Sequence, residues 1–137
     1  MKHLVFILIF GILISCGNSS KNKELESISR KEILGREFSN SDIRSIELIE
    51  IEHPMLGGII QTIKLNEIQK EKFLTDFDNL KKKGMFKCGA NYVVRLNMET
   101  DTLRLKVCGT IVANRTNDFY YELENGKSII AEYIEIK

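Results

Sequence analysis

The sequence predicts an α+β domain: an antiparallel sheet of about five strands with one main helix, about residues 66–83, packed on one face, and a short C-terminal helix. Three observations carry this. Stretches rich in Ile, Val and Tyr alternate apolar with polar residues at period two, a single charged segment carries apolar residues at helical spacing, and Gly and Asn clusters separate the stretches. The expected topology is hairpin, helix, three-stranded meander and terminal helix.

Residues 42–53 open the predicted domain, which runs from 42 to 137. Ile43, Ile46, Leu48, Ile49 and Ile51 stand among polar residues, a β-branched enrichment that favours strand. Alternation slips at Leu48-Ile49, where a bulge is expected. Pro54-Met-Leu-Gly-Gly58 supplies turn residues, and Ile59, Gln61, Ile63 and Leu65 are expected to line one face of the returning strand.

Asn66 can cap the helix, with Gln69 placed to reach back as in a capping box. Phe73, Leu74, Phe77 and Leu80 form its apolar stripe. Lys81, Lys82 and Lys83 are read as its last turn, complementing the helix dipole, and Gly84 as the left-handed residue that ends it. Residues 91–98 and 102–112 read as a second hairpin in which Tyr92, Val94 and Leu96 pair with Val107, Leu105 and Leu103. Arg95, Arg104 and Lys106 fall on its other, wet face. Phe119–Leu123 adds a strand, and Asn125-Gly126 turns the chain. For residues 128–136 a hairpin through Ile130, Ile134 and Ile136 competes with a helix capped by Ser128; the reading leans to the helix.

Before the domain the chain changes character. Lys2 is followed by the uncharged apolar run Leu4–Ile14, which ends at Ser15-Cys16; this is the length and polarity of an export signal and too short for a bilayer span, which needs roughly 20 residues. Leu13-Ile14-Ser15-Cys16 resembles the lipobox of bacterial lipoproteins. The resemblance covers this segment alone. It implies that residues 1–15 are a signal peptide and that Cys16 is acylated and becomes the mature N-terminus. Within residues 16–41, the polar composition of 17–23 reads as a flexible tether and the loose helical spacing of 24–38 as a marginal helix or ordered linker. The lipobox resemblance further implies a cell-envelope location, with the protein lipid-anchored to a membrane. Gly17 lacks the acidic residue associated with inner-membrane retention in some Gram-negative bacteria, which favours the outer membrane, facing the periplasm or displayed on the surface.

With Cys16 acylated, Cys88 and Cys108 remain as an even pair outside the reducing cytoplasm, and a disulfide between them is expected. Closing a loop of about 20 residues would stabilise the fold by roughly 3 kcal/mol. The hairpin register puts Cys108 opposite Asn91, so the bridge requires a bend at Gly89. Two buried free thiols are the alternative.

Removing Lys2 takes the basic count from 20 to 19, equal to the 19 acidic residues, so the mature charge gives no basic excess for nucleic acid. His53 is the single histidine after cleavage. Glu50 and Glu52 crowd it, but alternation sends His53 to the other face, so no metal site is expected. Gly57-Gly58 is a bare pair rather than a phosphate loop, and Cys88-Gly89 and Cys108-Gly109 lack the spacing of a redox motif. No catalytic residue and no cofactor are expected.

Three surfaces remain as ligand candidates: Lys81–Lys83 with Lys87, the face bearing Arg95, Arg104 and Lys106, and the aromatic group Phe119, Tyr120, Tyr121 and Tyr133. Each also has a structural explanation, as a helix end, a solvated face and core aromatics. The functional expectation is a non-catalytic binding or inhibitory module acting on a protein or glycan partner. A structural lipoprotein without a ligand, or an enzyme with an unrecognised site, are the alternatives.

Overall fold

Period-two apolar residues leave one sheet face that must be covered, and among the described residues the α-helix Glu67–Asp78 is the long helix that covers it. The computed structural model describes residues 30–85, 89–114 and 119–134. In chain order these form α1 (Arg30–Leu34), a 3-10 turn (Asn40–Asp42), β1 (Ile43–His53), β2 (Gly57–Lys64), α2 (Glu67–Asp78), β3 (Lys81–Met85), β4 (Tyr92–Met98), β5 (Thr102–Cys108), β6 (Ile111–Asn114), β7 (Phe119–Glu122) and α3 (Ala131–Ile134). The strands make one antiparallel sheet in the order β2-β1-β4-β5-β6-β7-β3. α2 therefore takes the chain from one edge of the sheet to the other.

The capping box forms as the sequence suggests. Asn66 Oδ1 accepts from the Gln69 amide at 2.9 Å, and Gln69 Oε1 accepts from the Asn66 amide at 3.0 Å. Phe73, Leu74, Phe77 and Leu80 are buried against Ile46, Leu48, Val94, Leu96, Leu105, Val107 and Tyr121 of the sheet. Lys70 is buried too: its ammonium donates to the Ile43 carbonyl at 3.3 Å and meets Glu67 at 2.6 Å, which ties α2 to the start of β1. The β4–β5 register is the predicted one, with Tyr92 opposite Val107, Val94 opposite Leu105 and Leu96 opposite Leu103.

The sheet has seven strands, not about five. One extra strand comes from the lysine run. α2 stops at Asp78, with Asn79 as its C-cap, so Lys81–Lys83 do not end the helix; they belong to β3, whose neighbour β7 offers Glu122 opposite Lys81. The Lys82 ammonium sits 3.0 Å from Glu32 and 3.8 Å above the Phe119 ring. These distant partners outweigh the local pull of a helix terminus. Gly84 accordingly lies in a strand facing Tyr120, where an added Cβ would come within 3.5 Å of the ring, rather than in a left-handed cap. The other extra strand arises because Gly109, at φ +59°, turns the chain and divides 102–112 into β5 and β6.

The bulge expected at Leu48-Ile49 is not there: β1 carries its extra residue at Arg44, where its pairing with β4 shifts, and β2 carries one at Ile60, where its pairing with β1 shifts, while Leu48 and Ile49 are both buried. They can be, because Leu48 joins the core while Ile49, one residue on, faces the opposite side beside Val93 and Thr62. At the chain's end 131–134 is helical, with Ile129, Ile130 and Tyr133 buried. α1 adds the fully buried Ile33 to the core, with Leu34 and Phe38 packed beside it. The leader 1–15, Cys16, the proposed tether up to Ser29, Lys87, Cys88 and Ile136 lie outside the described residues.

Candidate functional site

The hairpin β1–β2 runs past the sheet it starts from. Pairing of β1 with β4 ends at Glu50 opposite Tyr92, and the last hydrogen bond on that side is Ile51 N–H to the Asn91 carbonyl at 2.9 Å. From Glu52 onward the two strands pair only with each other, His53 opposite Gly57. The turn is closed by His53, whose Nδ1 accepts from the amides of Met55 and Leu56, both at 3.2 Å. The one histidine of the body is thus a turn cap. That leaves its Nδ1 occupied and the ring unavailable as a base through that nitrogen.

The neighbouring carboxylates are separated in the same way. Glu50 accepts from the Gln61 amide at 2.5 Å, and Tyr92 beside it has its phenol raised by burial and then by the Glu50 charge. Glu52 folds over the turn at Gly58, where a Cβ would come within 2.9 Å of its Oε2. Gly58 therefore answers two demands, φ +94° and close approach, and neither is a phosphate cradle. Among the described residues no three His, Cys, Asp or Glu side chains gather as a metal site would require.

The outer sheet face is built from the alternate residues of the same strands. Arg95 stands directly opposite Arg104, an unfavourable pairing relieved on one side by Glu47, which Arg95 grips at 2.7 and 2.6 Å. Burial works against the Glu47 carboxylate, but hydrogen bonds from Asn97 and Arg95 and the charges of Arg95 and Lys64 outweigh it, so its pKa is lowered. A carboxyl lowered in the folded state stabilises above its unfolded pKa and loses that contribution as pH falls through the folded value. Glu47→Gln should therefore cost about 1 kcal/mol at pH 7 and progressively less as pH falls below the ordinary carboxylate range, read from urea midpoints at neutral and acid pH. Equal losses at both would remove the charge from the explanation.

Arg104 and Lys106 pair with no acid among the described residues. With Pro54 and Val93 they line a shallow cleft of about 290 Å³ beside the base of the protruding hairpin. A second cleft, of about 400 Å³, lies at the other end of β1, where Arg36 meets Asp101 at 2.8 Å and Arg44 meets Glu99 at 2.8 Å. Its cations are already neutralised. His53 is not among the residues lining either cleft. Of the aromatic group, Tyr121 and Tyr133 are in the core and Phe119 and Tyr120 are half-buried, so they form no exposed patch.

Comparison with protein-family models, curated proteins and solved structures finds no match to this chain. The site is therefore read from its own chemistry. The feature that alternation alone did not single out is the hairpin end, where Met55, Leu56, Ile59 and Ile60 are 89, 86, 68 and 57 % exposed. Ile59 was expected to share one strand face with Gln61, Ile63 and Leu65. Only the latter two reach the core, because β2 passes beyond the covered part of the sheet before Ile59.

Proposed function

We propose that the chain is a lipid-anchored cell-envelope lipoprotein whose folded body is a non-catalytic binding or inhibitory module for a protein or glycan partner. The N-terminal sequence carries the reading: a basic start, an apolar run of signal length and Leu13-Ile14-Ser15-Cys16 coincide. The body's chemistry supports it, since its histidine caps a turn and the neighbouring Glu50 is engaged by Gln61. The lipid holds the protein at the outer membrane, on its periplasmic or external side.

Cys16→Ser tests it. Each buried methylene contributes about 0.8 kcal/mol, so losing two or three acyl chains should move nearly all of the mature-sized protein out of the membrane fraction, or stall it as the uncleaved form. Unchanged processing and partition would overturn the anchor. Crosslinking in intact envelopes should capture one specific partner.

A Cys88–Cys108 disulfide belongs to the same exported state. Cys108 lies close in space to Gly89, the residue after Cys88, with its sulfur 3.0 Å from the Gly89 carbonyl oxygen. The purified protein should gain about 2 Da on reduction; an unchanged mass would retire the bond.

A further inference from the structure

We infer that the end of the β1–β2 hairpin is a membrane-contacting tip, which dips Met55 and Leu56 into the acyl boundary of an anionic bilayer while Arg104 and Lys106 meet lipid phosphates behind it. Four large apolar side chains within six residues stand in water at a place where the sheet no longer shelters them. Such a cluster marks a contact surface.

Charge selects the occupant: Pro54, at the root of the turn, shares its cleft with two cations that have no acidic partner among the described residues. Ile59 and Ile60, where the β1–β2 register shifts, are both more than half exposed. Depth is limited by the backbone. β2 is an edge strand whose outer N–H and C=O groups need water, so insertion stops near the turn and leaves Ile59 and Ile60 in the headgroup region.

The inference rests on the envelope reading for the nearness of a membrane, and a tether does what tethers do, raising local concentration so that a weak tip contact is populated. The chain contains no tryptophan, so one can be placed as a single reporter. The full-length protein carrying Leu56→Trp is reconstituted with vesicles of phosphatidylcholine alone or with phosphatidylglycerol, and emission and quenching by brominated acyl chains are read. Ile68→Trp, at an exposed site on α2, is the reference, and Met55→Trp replaces Leu56→Trp if circular dichroism shows misfolding.

The expected result is blue-shifted, quenched emission for the tip reporter and water-like emission for the reference. Arg104→Glu with Lys106→Glu should reduce tip quenching at least about fivefold in the anionic vesicles and little in the neutral ones. Tip emission as water-like as the reference in both vesicle types overturns the inference. So does protection of the tip without vesicles that grows with protein concentration, which would assign the surface to a second copy of this chain. Failure of the anchor is read separately by Cys16→Ser: a chain that loses partition but whose L56W emission still shifts with added vesicles retains the tip and loses only the tether.

Discussion

Phe73→Ala is expected to remove about 3–5 kcal/mol of folding free energy, the usual cost of emptying a fully buried aromatic site. Phe73 has no exposed surface and lies with its ring centroid 6.4 Å from both Phe77 and Tyr133. It is the point where α2, α3 and the sheet meet. The neighbours cannot collapse into the void without moving a capped helix or a strand paired on both sides, so relaxation recovers little. Against a total of about 5–15 kcal/mol for a domain of this size, the variant should unfold at a much lower urea concentration with an unchanged slope. Ile68→Ala, on the exposed side of the same helix, should shift the midpoint by less than about 0.5 kcal/mol. A loss under about 1 kcal/mol at Phe73 would mean that α2 does not hold the core together.

What could be read in advance follows the range of the forces involved. The Asn66–Gln69 box and the Tyr92–Val107 register depend on residues a few positions apart, or on an alternation that one turn fixes, and both are legible. The lysine run is not. Three cations before a glycine suit a helix end as well as a strand, and the choice is made by Glu122, Glu32 and Phe119, which lie far off in the sequence. Gly109 was hidden inside an alternating stretch, since its left-handed φ leaves no mark on the apolar pattern on either side.

The surface was harder still. Period-two alternation says which side chains share a face but not where the face stops being covered, and Ile59 is exposed because β4 begins at Tyr92, a fact about another strand. His53 shows the converse. Its lone occurrence beside two glutamates invited a chemical reading, and the strand pattern already argued against it; the turn amides of Met55 and Leu56 supply the structural reason for the residue.

Arg30→Ala is the second large effect, expected at about 2–3 kcal/mol, because the guanidinium satisfies four groups that would be left behind. It binds Asp78 through both oxygens at 2.8 Å, donates to the Phe38 carbonyl at 3.1 Å and to Asn40 Oδ1 at 2.6 Å, and lies 4.9 Å over the Phe38 ring. The Asp78 hydrogen bond raises its pKa, so the guanidinium stays charged as pH rises. Asp78 is 47 % exposed, which keeps the figure below that of a wholly buried pair. Lysine cannot reproduce a planar fork, so Arg30→Lys should recover less than half of the loss. A double-mutant cycle with Asp78→Ala should assign about 1–2 kcal/mol to the pair and the remainder to Phe38 and Asn40. If the proposed tether joins the body here, any pull on the anchor is delivered to α1, and Arg30 resists its peeling from α2. Arg30→Ala should therefore also quicken proteolysis between residues 30 and 41 before the sheet unfolds, since local opening needs less free energy than global unfolding. Cleavage no faster than in the unaltered protein would show that α1 is held without Arg30, by Ile33 burial and the Glu32–Lys82 pair.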